Sequence, residues 1–456
     1  MMNRISLYII ILISCFITSF AQNNSTIYYM KNVPQANYYN PAFTPKAKFY
    51  IGLPAISNFN FNLSHSAFNY NDIITTRETD DSLVLDVDNA ISKMRDFNNF
   101  ISSEIFIDGL SLGFKVKQAY FSFGFTEKVS FRFNYPRDLI SLAWKGNAQF
   151  LEKPAVFDNI GLDMSYYREY FAATSLKINE KLRVGGRFKL LYGKANINTE
   201  RSNISIATDP ESYAITANAD ILVNTSGFNF SDTTDFDPME FVFNKQNKGF
   251  AFDFGAEYKL NYKWNVNIAA LNLGSISWKS NLKSYRTEEN TTFTFEGFDA
   301  NDFFADNKTT SPIEELTDSL QDAFNIIEEQ NTYKTTLTPI FIIGSTYNFT
   351  YKTKAGFILQ NKIFDKRIYP SLTLSFNKRF GNIFELATTY SIFNNSYLNF
   401  GAGIVANLLG LQIYIVTDNI LSPILPQSQK NVHLNFGLNL VFGYKDKKVK
   451  DKAMID

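Results

Sequence analysis

The feature that most constrains the fold of this sequence is a strict alternation of apolar and polar residues in runs of up to thirteen residues. A period of two indicates a β-strand with one apolar and one polar face. At about 3.3 Å per residue such a run spans roughly 43 Å, and tilted by about 45° it crosses about 30 Å, the hydrocarbon core of a bilayer. Strands of soluble proteins are usually about half that length. In the last run, one face carries Val432, Leu434, Phe436, Leu438, Leu440, Phe442 and Tyr444, and the other carries His433, Asn435, Gly437, Asn439, Val441 and Gly443.

A second run, 249–260, separates charge from apolar surface in the same way. Its phenylalanines share one face, whereas Asp253, Glu257 and Lys259 share the other. A lysine that faces lipid near the bilayer midplane costs roughly 2–4 kcal/mol. We therefore predict that these three residues face the lumen of a barrel. The pattern of the last strand predicts the same for His433, Asn435 and Asn439.

Alternating runs continue along most of the chain and predict an all-β fold, a transmembrane antiparallel β-barrel of about 14 strands, within a range of 12 to 16. Short turns such as Asn179-Glu180, Asn261-Tyr262 and Gly381-Asn382 alternate with long polar loops at 195–211, 225–247 and 279–310. The 211–223 run is counted among the strands. A pair of soluble β-sandwiches is the alternative, but it needs an interdomain linker that the composition does not offer.

Three segments break the alternation, and with a fourth, weaker amphipathic stretch they predict short helices or irregular structure in the lumen or loops. Residues 136–151 read as a helix that stops at Gly146, and 90–102 as a weaker amphipathic helix. In 311–330, Ser311 and Glu314 form a capping box and the helix is acidic throughout. The segment 22–46 is too rich in proline for a central strand, and we predict that it is a plug-like segment before the barrel.

The N-terminus predicts export. Arg4, the apolar run after it and the small residues Ser19 and Ala21 are typical of a secretory signal peptide, which we expect to be cleaved at 1–21. Leu12-Ile13-Ser14-Cys15 also fits a lipoprotein processing site, and this alternative stays open. The predicted domains are the signal peptide, the plug-like segment 22–46, the barrel 47–444 and a charged tail 445–456.

Residue types that carry chemistry are scarce. There are two histidines, His65 and His433, and one cysteine, and no cluster has the spacing of zinc ligands. No serine lies in a nucleophile-elbow context. Basic and acidic residues number 44 each, so the net charge gives no reason to expect a nucleic-acid partner. We expect no catalytic, cofactor-binding or metal-binding residue, and no enzyme.

Seven stretches form an ordered set along the chain. They are Asn40-Pro41-Ala42-Phe43, Gly52-Leu53-Pro54, PRDLISLAWKGN at 136–147, GGRFKLLYG at 185–193, LNLGSISW at 271–278, YIVTDNI at 414–420 and FGLNLVFGY at 436–444. With this set the chain resembles a family of uncharacterised outer-membrane β-barrel proteins of Bacteroidetes, which are Gram-negative, known only as a domain of unknown function. The resemblance implies residence in the cell outer membrane, contact with its lipid and insertion by the barrel assembly machinery.

The stretch Asn40-Pro41-Ala42-Phe43 is also similar to the start of FadL-type transporters and of the PorV component of type IX secretion. That likeness implies a plug formed by these four residues. It also implies either a hydrophobic small molecule or a subunit of a secretion complex as partner. The charged tail 445–456 departs from the terminal aromatic residue of many barrels.

Three functions follow from these observations. The first is passive transport of small apolar molecules through a porin-like barrel. The second is a structural or accessory role in a secretion or gliding complex. The third is a soluble periplasmic β protein that binds a ligand.

Overall fold

A computed structural model of the protein describes residues 24–443, apart from 78, 213, 229–237, 289–290, 296–325, 382 and 394–395. The predictions for the signal peptide, for Cys15 and for the tail 445–456 lie outside the described residues. So do residues 22–23 of the plug-like segment and the capping box of the predicted helix 311–330.

Antiparallel strands account for most of the described residues. In chain order they are β1 Phe49–Gly52, β2 Phe59–His65, β3 Ile74–Thr76, β4 Leu83–Leu85, β5 Asn99–Val116, β6 Ala119–Tyr135, β7 Ala155–Val156, β8 Gly161–Lys177, β9 Leu182–Thr208, β10 Ile215–Ser226, β11 Asn247–Lys259, β12 Trp264–Trp278, β13 Leu282–Arg286, β14 Thr291–Phe295, β15 Ile327–Glu329, β16 Tyr333–Thr336, β17 Ile340–Asn348, β18 Thr353–Phe364, β19 Arg367–Phe380, β20 Phe384–Phe393, β21 Ser396–Leu408, β22 Leu411–Thr417 and β23 Asn431–Phe442.

The sheet closes on itself into a barrel of 14 strand positions, as predicted. β1 and β2 share one position, because both pair with β23 on one side and with β5 on the other. β16 and β17 share another beside β12. Each shared position is interrupted where the chain carries a proline, Pro54 or Pro339, which cannot donate to the ladder. The remaining positions are β5, β6, β8, β9, β11, β12, β18, β19, β20, β21, β22 and β23.

One rim of the barrel carries tight turns throughout, whereas the opposite rim combines long connections with a tight turn at Asp365 and Lys366. The hairpin β5–β6 turns at Lys117, which has a positive φ of 52°, and the hairpin β21–β22 turns at Leu409 and Gly410. The predicted turns at Asn179-Glu180 and Asn261-Tyr262 are confirmed, because β8 ends at Lys177 and β11 at Lys259. Longer connections at 66–98, 136–160 and 418–430 leave the opposite rim.

A small sheet projects beyond the wall at the rim of the long connections. β9 is 27 residues long, and its second half pairs with β10. β10 pairs in turn with β13 and β14, and β13 with β15. The prediction of loops for 195–211 and 279–310 is therefore wrong in part. The 211–223 run belongs to this projection as β10. It is not a wall strand, because the neighbour of β9 in the wall is β11. Neighbouring strands supply partners to these polar backbones, and this context outweighs weak strand propensity.

The predicted helices have mixed outcomes. The helix in 136–151 is confirmed as Arg137–Lys145, which ends at Gly146 with a φ of 74°. The 90–102 helix is displaced: the helix is Val87–Lys93, capped by Asp86, and β5 already begins at Asn99 because its backbone pairs with β6.

The end of the predicted helix 311–330 is a strand instead. Its described part contains β15, which pairs with β13. The segment 311–330 has no basic residue of its own, and two of its acidic residues form ion pairs with β13. Glu328 lies 3.2 Å from Lys283, and Glu329 lies 2.9 Å from Arg286.

The two faces of the wall differ as alternation predicts. Outward side chains are large, apolar and exposed: Phe250 is 60% exposed and Ile343 is 54% exposed. Inward side chains are polar and buried, and Asp253 and Asn435 are both 0% exposed. In the part of the chain that the structure describes, no helix combines the length and the apolar character needed to span a membrane.

Closure should make the barrel resistant to detergent, because a closed ladder leaves no edge from which unfolding starts. We expect the unheated chain to migrate faster than the boiled chain on an SDS gel. A variant that lacks 431–442 has lost β23 and should migrate like the boiled chain at both temperatures. A single mobility for the intact chain before and after boiling would contradict closure.

Candidate lumenal site

The N-terminal segment, defined here as residues 24–46, lies inside the barrel. It forms a short helix, Ser25–Tyr29, and a 3-10 helix, Pro34–Tyr38. Pro34 fixes its own φ and needs no donor at the start of a helix, which favours this turn over a strand. Nearly all of the segment is buried, and Ile27, Met30 and Val33 pack against Val405, Tyr414 and Val416 of the wall.

Glycines on the inner face of the wall make room for this segment. At Gly185 an added Cβ would lie 2.1 Å from the carbonyl oxygen of Pro41, and at Gly255 it would lie 2.1 Å from Oδ1 of Asn40. Both distances are far below van der Waals contact. At Gly356, Gly401 and Gly403 the space that a Cβ would need is occupied in the same way by Tyr29, Thr26 and Met30, respectively. The wall and the segment are therefore complementary in shape along four strands, β9, β11, β18 and β21.

The beginning of the segment is held by Asp418, the residue that directly follows β22. Its carboxylate accepts the backbone N–H of Ser25 at 3.1 Å and that of Thr26 at 2.9 Å. Helix N-termini leave such donors without intrahelical partners, and a carboxylate satisfies them well. His433 lies beside this contact, with Nε2 2.8 Å from Oδ1 of Asn24 and Nδ1 accepting the backbone N–H of Asp418.

Further along, each turn of the segment reaches a different wall strand. Lys31 forms an ion pair of 2.5 Å with Glu257, and Asn32 donates to Glu385. Tyr38 donates to Asp108 at 2.7 Å. Gln35 exchanges two hydrogen bonds with Asn439, of 2.9 and 3.0 Å. Burial raises the pKa of the Tyr38 phenol well above its ordinary value, so this group stays protonated and remains a donor.

The four residues Asn40, Pro41, Ala42 and Phe43 all contact the inner wall or brace the segment. Asn40 accepts the backbone N–H of Ala42 at 3.0 Å and donates to the carbonyl of Ile268 at 3.1 Å. The carbonyl of Ala42 accepts from Ser175, and the ring of Phe43 meets Tyr28 edge to face with centroids 4.9 Å apart.

The residues for which the sequence predicts a lumenal position do not form one cluster. Asp253 and Glu257 lie on the inner face of β11, and His433, Asn435 and Asn439 lie on that of β23. Lys259 stands at the end of β11 with an exposed side chain. Among the described residues, neither amide atom of Asn435 has a hydrogen-bond partner.

Beyond the N-terminal segment the lumen contains a cavity of about 250 Å³. Tyr38 and Tyr39 of the segment line it, so the segment forms part of its boundary. One side of the cavity is apolar, and the side chains come from β12 and from the position of β16 and β17. These apolar side chains are Leu271, Ile276, Leu337, Ile340 and Ile342.

The other side of the cavity carries Lys128, Glu169 and Lys189, charged residues that the sequence did not single out. Lys128 and Glu169 form an ion pair of 2.7 Å, and Lys189 and Asp253 one of 2.8 Å. Each of these residues stands on the polar face of an alternating run, which was visible in the sequence. Which charges meet across neighbouring strands depends on register, and the sequence offered no signal for that. Over the described ranges, no three His, Cys, Asp or Glu side chains are grouped so as to hold a metal ion.

Comparison with known proteins gives a family match and several structural likenesses. The sequence matches a family of unknown function, DUF5723, over residues 41–418. No curated protein matches it.

Among solved structures, the fold is similar to a FadL homologue of Pseudomonas aeruginosa, with 11% identity, a TM-score of 0.43 and coverage of 91% of this chain and 95% of the other. It is similar to the toluene transporter TbuX of Ralstonia pickettii, with 6% identity, a TM-score of 0.42 and coverage of 93% and 96%. It is also similar to the P. putida toluene transporter TodX, with 9% identity, a TM-score of 0.39 and coverage of 90% of this chain and 94% of the other. Likenesses this distant carry no argument about cargo.

The contact with Asp418 should govern how firmly the segment is held. In Asp418→Asn the amide keeps one acceptor oxygen and loses the charge, so the backbone N–H groups of Ser25 and Thr26 should exchange with deuterium roughly ten-fold faster. Hydrogen exchange read by mass spectrometry on the peptide that contains them measures this. Asp220→Asn, which removes the partner of Arg201 on the projecting sheet, is the control. Unchanged exchange in the Asp418 variant would mean that the wall contacts alone hold the segment.

Proposed function

The chain belongs to DUF5723, a family of unknown function, and we propose that it is an outer-membrane barrel that passes small, largely apolar molecules through a lumen closed by its own N-terminal segment. The observation that carries the proposal is the fit of the N-terminal segment against glycines of the inner wall, next to a half-apolar cavity. In this proposal the segment is the plug, and the barrel is a passive channel rather than an enzyme.

The outer face of the wall supports the membrane location. Exposed Phe, Leu and Ile side chains follow one another around the barrel on β11, β12, β17, β19, β21, β22 and β23. A continuous apolar surface of this extent is not tolerated in water, whereas a bilayer requires it.

The size and chemistry of the cavity support the class of molecule. About 250 Å³ is the share of roughly eight water molecules at about 30 Å³ each, which suits a small organic molecule. Leu271, Ile276 and Ile342 line one side of the cavity. Binding of an apolar molecule against them is favourable, because it removes apolar surface from water. A wide aqueous pore would have a polar lining throughout.

The membrane location predicts the effect of a lysine on the outer face. Ile343→Lys places a charge where the side chain is 54% exposed in the middle of β17, and should lower the free energy of unfolding in lipid vesicles by about 2–4 kcal/mol. Ile420→Lys changes an exposed isoleucine outside the strands and should stay within about 0.5 kcal/mol of the parent chain. Equal effects of the two changes in a denaturant titration would argue against lipid at this face.

The proposed plug predicts a permeability difference between two adjacent glycines. Gly185→Ala drives a Cβ into the backbone of Pro41 and Ala42, so the segment must move and the lumen should open. Gly186→Ala is the matched control, because the nearest atom to its Cβ is 3.9 Å away. We expect vesicles that contain the Gly185 variant to take up a small neutral solute several-fold faster than vesicles with the parent chain or the Gly186 variant.

Equal uptake by all three proteins would contradict closure by the segment. An accessory role in a secretion or gliding complex requires no solute flux, so permeability that responds to neither glycine change would leave that role as the better account.

A further inference from the structure

The charges of the lumenal cavity do not balance among the described residues. Five basic and three acidic side chains from this part of the chain line it. Each lysine has a carboxylate within 4 Å, and each arginine has none among the described residues. The lysine pairs are Lys128 with Glu169 at 2.7 Å, Lys189 with Asp253 at 2.8 Å, and Lys362 with Glu104 at 3.7 Å. That leaves Arg132 and Arg187 against one acidic lining residue, Asp163.

Arg132 contacts rings rather than carboxylates, although the carboxylates of Asp163 and Asp365 lie near enough to attract it. Its guanidinium carbon lies 3.8 Å from the ring centroid of Phe100, 4.4 Å from that of Phe364 and 5.0 Å from that of Tyr369. Nε donates to Asn134 at 2.8 Å and Nη2 to Tyr369 at 3.0 Å. A guanidinium has five N–H groups, so three have no acceptor in the described part of the protein. The rings and the two hydrogen bonds hold the group in one orientation.

Asp163 stands opposite Arg132 in the register of β6 and β8, yet it does not pair with it. Its carboxylate accepts from Asn198 at 2.8 Å and stays more than 4 Å from the guanidinium nitrogens. The two side chains line the same cavity without neutralising each other at contact.

Arg187 adds a second buried cation at the N-terminal segment. It is 4% exposed, and its guanidinium carbon lies 4.4 Å from the ring centroid of Tyr38 and 4.5 Å from that of Phe171. Nη2 donates to Asn37 at 2.9 Å, whereas Nε is buried with no partner among the described residues. A buried charge without a counter-ion is costly, and an anion in the cavity would relieve that cost.

We infer that the cavity is a binding site for a compact organic anion, a molecule with one carboxylate-like group for the edge of Arg132 and a small apolar body for Leu337, Ile340 and Ile342. Planar guanidinium groups bind carboxylates through two parallel hydrogen bonds. The inference rests on the proposed function, since it names the class of molecule that the channel admits. The volume of about 250 Å³ suits a body of the size of one aromatic ring.

The test uses the full chain in nanodiscs of zwitterionic lipid, with 4-fluorobenzoate as the anionic probe and 4-fluorobenzamide as its neutral isostere. Dissociation constants come from fluorine NMR line broadening, with empty nanodiscs subtracted. We expect the parent chain to bind the benzoate roughly ten- to a hundred-fold more tightly than the benzamide, the range for hydrogen bonds to a charged group.

Two substitutions of opposite sign make the outcome specific. Arg132→Gln should remove most of the benzoate preference and change benzamide affinity less than about two-fold. Asp163→Asn removes the competing carboxylate and should increase benzoate affinity several-fold, a gain that misfolding cannot produce. Arg201→Gln, on the projecting sheet, is the control and should bind both probes like the parent chain.

Equal affinities for the two probes in the parent chain would overturn the inference, and so would benzoate binding that neither Arg132→Gln nor Asp163→Asn alters. Failure of the proposed transport looks different. Selective benzoate binding without solute flux in the Gly185 variant would refute the channel and leave the anion site. Solute flux in the Gly185 variant together with equal binding of benzoate and benzamide would support the channel and refute the anion site.

Discussion

Closure of the sheet into a barrel sets the conditions that every strand and the N-terminal segment must meet. β23 pairs with β1 and β2, and these pair with β5, so the first and last strands of the chain remove each other's free edges. An open sheet of the same sequence would leave unpaired N–H and C=O groups along two edges. Closure also creates a polar inner face and an apolar outer face. Alternation of polar and apolar residues along every strand supplies both faces.

The interior that closure creates is too large for the wall's own side chains to fill, and the N-terminal segment occupies much of it. Glycines at Gly185 and Gly255 bring the two backbones into contact, and Asp418 and Glu257 supply charge to the segment where it needs acceptors. Polar groups buried without partners cost free energy. The dense hydrogen bonding between segment and wall therefore selects one seated position.

The remaining space shows how a barrel manages charge in a confined interior. Lys128 and Lys189 lie next to Glu169 and Asp253, so most of the buried charge is locally neutral. Arg132 and Arg187 lie against aromatic rings instead, which lowers the cost of burial but does not cancel their charge. This difference between the lysines and the arginines gives the cavity its sign, and with it a basis for selection among small molecules.

The local features of this protein could be read from its residues alone. Alternation predicted the barrel and the inward faces of β11 and β23, the prolines of 22–46 excluded a strand there, and Gly146 ended a helix where expected. These features depend on residues a few positions apart, whose effect on backbone geometry does not depend on distant parts of the chain. The assignment of each run to the wall or to the projecting sheet, and the pairing of the charges, became clear from the fold. Ser25 and Asp418 are 393 residues apart in sequence, and β10 and β11 read alike until their partners are known. Strand register and closure bring such residues together, and both are properties of the whole chain.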